Sequence, residues 1–285
     1  MVRPKGRKRP AVLVYLYGFS ALPSGPLPRI APGVEDGAAV EWITHREVGA
    51  LVSRVSAAHY EARPLERHVK DLSWLTPRVA RHNQVLLDAL VLGSPASPPA
   101  PAVASVAPCR FATVFRDRAS VRHILVHKHA KLTEVLRHLR DRLEWSVKAY
   151  APPGATPAEG VDAVRATTAP SNSAGGQGAA YMLGLLRART ARHESWRQTR
   201  EYGNEVIRSL SERVEDLRPL PLSGAKNAQA ELFLNLTCLV RRPAAPALLA
   251  TLEKLALRAR RRGIKLTWSG PWPAYSFAGD IFAGS

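Results

Sequence analysis

Nine histidines, two cysteines and 23 acidic residues are the groups that could carry out chemistry in this 285-residue chain, and their spacing decides what they can do. His82 stands on an apolar stripe of helical period with Val79, Leu86 and Ala89. In that setting a histidine is first a buried, hydrogen-bonded core residue, with general-base catalysis as the competing role. His123, His127 and His129 put two imidazoles on one helix face at i and i+4, the spacing of a metal-ligand pair, but no Cys or carboxylate completes a site. A solvated helix face is the expectation there. Gly175, Gly176 and Gly178 precede a helical stretch and could aim backbone N–H groups at a phosphate. They follow coil, APSNSA, and no Lys-Ser/Thr pair comes after them, so neither phosphate-binding fingerprint is met. Ser173 and Ser223 lack a nucleophile elbow, and carboxylates are sparse in the strand-like runs. Cys109 and Cys238 lie far apart in apolar runs, as core thiols of a reducing compartment would. The expectation is therefore no catalytic residue, no cofactor and no metal, and a binding or assembly role leads.

Two features suit binding. The chain carries 41 Lys and Arg against 23 Asp and Glu, a formal net charge of +18, which favours anionic partners without choosing among them. A candidate basic face is Arg187, Arg189, Arg192, Arg197 and Arg200, in the middle of a long helical stretch. The second feature is the segment LTWSGPWPAYSFAG near the end of the chain, where Trp268, Pro271, Trp272, Tyr275 and Phe277 form a candidate docking site or structural clasp. Its prolines hold an extended path with little entropy to lose, and the Gly270-Pro271 step should end regular strand pairing.

The elements that must position these residues read as α+β. Residues 12–17 are apolar on both faces, as in a central covered strand, and 40–44 and 48–55 are two further strands. Pro64 opens a short helix, and Thr76-Pro77 gives an N-cap and first helical position for the His82 helix. Residues 93–108 form a Pro/Ala-rich loop, CRFATVF a strand, and 119–142 one or two amphipathic helices. A strand at 143–150, a helix at about 178–217 that projects or breaks at its polar centre, and a short strand at 220–223 follow. A strand at 230–240, a helix at 243–262 and a strand at 264–268 complete a β-α-β-β-α-β order, that of a ferredoxin-like domain. The predicted domains are 1–141, with a basic arm at 1–10, and 142–285, a modified ferredoxin-like fold with a long helix and the aromatic tail. An RNA-binding module using the basic helix and arm is the alternative function, although AELFLNLTCLV lacks paired exposed aromatics, and nucleic acid is unlikely as a partner on that ground. No run of about twenty apolar residues exists and the N-terminus lacks a signal cleavage site, so a cytoplasmic protein without a membrane partner is expected.

Seven segments in order, VYLYGF, SWLTPRVARHNQVL, CRFATVF, LEWSVKAY, GQGAAYMLGLLRAR, ELFLNLTCLV and SGPWPAYSF, together resemble the gas vesicle protein F/L family. The resemblance covers most of the chain, and GPWPAYSF behind a basic helix and strand is its most specific part. It implies a two-domain α+β protein without catalysis, located in the cytoplasm and at the gas vesicle. It also implies partnership with the small hydrophobic gas vesicle shell protein and with other accessory proteins, in nucleating or assembling the shell. The sequence departs from the family pattern at Ala112, where glycine is commoner, and in the longer, Pro-rich stretch at 93–108.

Overall fold

A computed structural model describes residues 12–22, 30, 32–91, 105–152, 177–222, 226–227, 230–279 and 281, and the basic arm at 1–10 lies outside them. The chain divides into two units, Met1–Glu144 together with Pro271–Ser285, and Trp145–Gly270. The sequence reading drew one boundary at 141/142 and gave all of 142–285 to the second domain. The aromatic tail groups instead with the first unit, because its buried side chains and hydrogen-bond partners lie there.

In the first unit β1 (Val12–Ala21), β2 (Glu41–His45) and β3 (Val48–Ser56) pair in the order β2-β3-β1-β4, where β4 is Val106–Pro108 and β5 (Val114–Phe115) also pairs with β1. The pairs β1/β3, β1/β4 and β2/β3 are all antiparallel. The register of β1 on β3 shifts between Leu16 and Gly18. Alternate residues Tyr15 and Tyr17 enter a core with Leu51, Val55, Val85, Leu86 and Ala89. Helices α1 (Ala57–Tyr60), α2 (Ala62–His68) and α3 (Leu72–Val91) follow β3. Helices α4 (Arg118–His127) and α5 (His129–His138) pack on β1, β2 and β3 through the buried Val121, Leu125, Leu132 and Leu136.

Three boundaries differ from the sequence reading here. Helix α3 begins one turn before Thr76, because the Asp71 carboxylate accepts from Ser73 N (2.9 Å) and Ser73 Oγ (2.7 Å) and takes the capping role. Pro77 therefore lies inside the helix, not at its first position. The loop expected through 108 ends earlier, in β4, and the strand expected at CRFATVF is interrupted by a turn at Phe111-Ala112 before β5. A Pro-rich composition concealed β4, whose Val106 and Ala107 pair with Ser20 and Phe19. Residues 93–104 of the expected loop are outside the described residues.

The second unit runs β6 (Arg142–Ala151, shared with the first unit's end), α6 (Gln177–Ser211), β7 (Asp216–Pro219), β8 (Lys226–Asn227), β9 (Ala230–Arg241), a 3₁₀ turn at Arg242–Ala244, α7 (Ala245–Arg261) and β10 (Lys265–Trp272). The sheet order is β10-β6-β9-β7, with β8 on β9 and β7 antiparallel to β9. Trp145, Val147 and Ala149 of β6 and Leu234, Leu236, Cys238 and Val240 of β9 meet Tyr202, Val206 and Leu210 of α6 and the α7 stripe Leu248, Leu252, Leu255 and Ala259. Helix α7 closes with Gly263 at φ 68° and Ile264 N donating to the Ala259 carbonyl at 2.9 Å, a left-handed stop that a glycine adopts without strain.

Helix α6 is continuous across its polar centre and at 35 residues extends about 50 Å. It stops at Ser211, six residues before the expected end, and the following strand is Asp216–Pro219, not 220–223. Val214 and Leu217 pack on the same core from a turn and a strand, which continues the helical spacing without a helix. Strand β10 also runs through Gly270-Pro271 to Trp272, contrary to the expected break. It lies at a sheet edge, where a missing proline N–H is tolerated, and Gly270 takes a φ of 147° that few other residues adopt.

Candidate functional site

The C-terminal segment forms a short turn on the first unit. Tyr275 N donates to Pro273 O (2.7 Å) and Ala278 N to Ala274 O (3.0 Å), so the chain folds back on itself after the second proline. Ala274, Phe277 and Ala278 are buried, and Tyr275 is half-buried against the first unit's core. Its hydroxyl donates to Asn83 Oδ1 at 2.7 Å, and its ring stacks on His82 with centroids 6.3 Å apart. Burial pushes the Tyr275 pKa well above its ordinary value, so this hydroxyl stays a donor. Ser276 donates twice to one carboxylate, from N to Glu144 Oε2 (2.8 Å) and from Oγ to Glu144 Oε1 (2.7 Å). Glu144 is itself only 7% exposed. Further on, Lys128 Nζ donates to Ile281 O at 3.1 Å.

Of the five tail residues singled out, Tyr275 and Phe277 come together in this turn. Pro271 is exposed, Trp272 is half-buried at the end of β10, and Trp268 packs with the second unit's core. Asn83 and Glu144, which hold the segment, escaped the sequence reading. A carboxylate inside the apolar run LEWSVKAY was the available signal for Glu144, since a lone acid in a strand needs donors.

His82 is 1% exposed and packs among Tyr15, Tyr17, Phe111 and Tyr275. Ala112 N donates to Tyr15 Oη (3.0 Å), and that hydroxyl in turn lies 2.8 Å from His82 Nδ1. Burial lowers the His82 pKa to about 4, opposed in part by the Cys109 backbone. A neutral ring walled in by aromatics has no reacting group to serve as base, which fits the core reading. Cys109 and Cys238 are both buried, free thiols, and burial pushes the Cys109 pKa well up, away from thiolate chemistry.

The remaining candidates do not converge. His123 and His127 stack at 3.7 Å, and His127 Nδ1 donates to the His123 carbonyl, whereas His129 packs edge-on to His45 and faces Glu47. Among the described residues no group of three potential ligands could hold a metal ion. Ser173, Gly175, Gly176 and Ser223 lie outside the described residues. On α6, Arg187, Arg197 and Arg200 are exposed, while the side chains of Arg189 and Arg192 lie outside the described residues. Arg197 faces Glu194 at 2.8 Å and Glu201 at 3.9 Å, which offsets part of its charge. On β9, Asn235 Nδ2 donates to Pro221 O and Thr237 Oγ1 to Trp145 O, so these positions are linked to their own sheet and offer no stacking ring. No described helix is long and apolar enough to cross a membrane.

Comparison with known proteins gives one consistent result. A family model described as gas vesicle synthesis protein GvpL/GvpF matches residues 13–279. Gas vesicle protein L of Streptomyces sp. (strain CB03234) is 28% identical over 275 residues, 94% of this chain and 93% of that protein. Gas vesicle protein F of the same strain is 28% identical over 271 residues, 92% and 98% of the two chains. Among solved structures, GvpF from Anabaena sp. PCC7120 is similar with a TM-score of 0.63 at 17% identity, covering 94% of this chain and 96% of its own. GvpF from Microcystis aeruginosa is similar at the same TM-score and 16% identity, over 93% and 98% of the two chains.

Proposed function

The chain belongs to the GvpL/GvpF family and has a role in gas vesicle formation, and we propose that it fills this role as a non-enzymatic assembly factor that binds the small hydrophobic shell protein and helps nucleate the shell. The observation that carries the reading is the family match across 13–279, which takes in both folded units and the aromatic tail. The physical need is plain. A shell subunit must present an apolar, gas-facing side, and before assembly that side is an aggregation hazard that a soluble partner can cover. Among the described residues β2 ends the first sheet and β7 and β10 end the second, and a sheet edge is where a further strand can add. The non-enzymatic reading is supported by His82, buried with its pKa lowered, and by Cys109, whose pKa burial pushes well up.

The test is capture. Purified full-length protein, immobilised and offered the main shell protein, should retain it in salt-insensitive fashion, and a deletion strain should lose or reduce its vesicles. Failure to retain the shell protein together with normal vesicles in the deletion strain would end the proposal. The RNA-binding alternative predicts instead a retention of RNA that falls steeply with salt.

A further inference from the structure

Two facts about the tail stand apart from packing in general. It leaves strand β10 after the exposed Pro271 and the half-buried Trp272 and turns at Pro273, whose carbonyl accepts from Tyr275 N. It is then held through side-chain groups and one backbone amide: Tyr275 Oη on Asn83, the Ser276 backbone N–H and its O–H on Glu144, and the Tyr275 ring on His82. Each of these reads a particular chemical feature of the segment, namely a phenol, a serine with its own amide, and an aromatic face. Asn83 presents its carbonyl oxygen to the phenol, and the nearly buried Glu144 presents both carboxylate oxygens to the serine. Hydrogen bonds to carboxyl oxygens in a site shielded from water are among the stronger ones, so these contacts can discriminate between segments.

We propose that His82, Asn83 and Glu144 of the first unit form a peptide-binding groove whose resident ligand is the chain's own Pro273–Phe277, and that this segment leaves the groove without unfolding of β1 and β3. The ligand class is a short peptide with Tyr-Ser-Phe at its centre, taken up in the turn that the resident segment forms. Held in cis, the segment has an effective concentration on the order of millimolar. The groove is therefore self-occupied in the resting chain and open to the same peptide in trans once the resident segment is weakened. This inference concerns the first unit alone and does not depend on the shell-binding reading.

The experiment uses the full-length chain and a fluorescent synthetic peptide, PWPAYSFAG, with the sequence of residues 271–279. In the double variant Tyr275→Ala/Ser276→Ala the resident segment loses its phenol and its hydroxyl and keeps only the amide bond to Glu144, and this chain should bind the peptide at least tenfold more tightly than the wild type. Adding Glu144→Gln to the double variant should weaken that binding at least tenfold. Peptide binding no tighter in the double variant than in the wild type overturns the proposal. Hydrogen exchange on the wild-type chain tests the opening independently of any variant's folding. The Ser276 amide should be at least a hundredfold less protected than the amides of Leu16 and Leu51, and equal protection overturns the proposal as well.

Discussion

The Tyr15 hydroxyl stands 2.8 Å from His82 Nδ1 and accepts the Ala112 N–H at 3.0 Å, so one oxygen joins β1, α3 and the turn before β5. Tyr15 is fully buried, and removing the oxygen leaves both an imidazole nitrogen and a backbone N–H without this partner. Tyr15→Phe keeps the ring contacts with Tyr17 and Tyr60 and should cost about 1–3 kcal/mol, measured as a fall in urea midpoint at unchanged slope. A variant as stable as the wild type would show that the hydroxyl contributes nothing to joining these elements.

His82 gives this core a pH dependence of definite sign. Its pKa is lowered from 6.5 to about 4, so between those values the unfolded chain holds a proton on this ring and the folded chain does not. The stabilisation from keeping the ring neutral is complete above pH 6.5 and is lost as the pH falls toward 4, a change of about 3 kcal/mol. Urea denaturation at a series of pH values should show that decline, and His82→Gln should remove this part of the slope. An unchanged slope in the variant would assign the decline to other groups.

Ala112 has a φ of 63°, in the left-handed region where an L side chain is strained. The departure from a commoner glycine noted in the sequence thus falls on a residue whose backbone favours glycine. Ala112→Gly keeps the N–H that serves Tyr15 and relieves the strain, which outweighs the extra freedom that glycine has in the unfolded chain. Thermal unfolding should show a gain of about 1 kcal/mol, and a loss of stability would mean that the turn tolerates alanine without strain.

Much of the fold was legible because its cores follow simple periods. The α7 stripe, the α4 and α5 stripes and the doubly apolar β1 all read correctly, since each is repeated over several turns or residues. What failed had no such repetition. Strand β4 has three residues, one of them proline, and its pairing with β1 depends on a neighbour far away in sequence. Val214 and Leu217 continued a helical spacing from a turn and a strand because the same core lies beneath all three. At the tail, Tyr275 and Phe277 were recognisable by type, but Asn83 and Glu144 were not, because a hydrogen-bond partner 192 or 132 residues away leaves no local pattern.

Gly18 is held to glycine by a neighbour, not by its backbone angle. A Cβ there would stand 2.6 Å from the Ala107 carbonyl oxygen and 3.1 Å from Leu86, and the carbonyl belongs to a strand paired with β1. Since backbone cannot swing aside as a side chain can, Gly18→Ala must displace β4 or bend β1. The expected cost is about 1–3 kcal/mol, with lost protection of the amides that pair β1 with β4. Wild-type stability with intact protection there would show that β4 yields freely.

Trp272→Ala separates the two roles open to the aromatic tail. Trp272 is half-buried where β10 ends, one residue after the exposed Pro271 and three before the Tyr275 that stacks on His82. If the segment fastens the first unit, the truncation removes apolar contact area and should cost about 1–3 kcal/mol, while shell-protein capture by the folded variant stays at the wild-type level. If the segment docks the shell protein, the stability stays within about 0.5 kcal/mol and capture falls at least tenfold, as truncation of an aromatic anchor does. The hydrogen bonds from Tyr275 and Ser276 to Asn83 and Glu144 favour fastening, since a docking tail would keep its polar groups for the partner. Denaturation and capture measured on one preparation decide it, and loss of capture at full stability would overturn the fastening role.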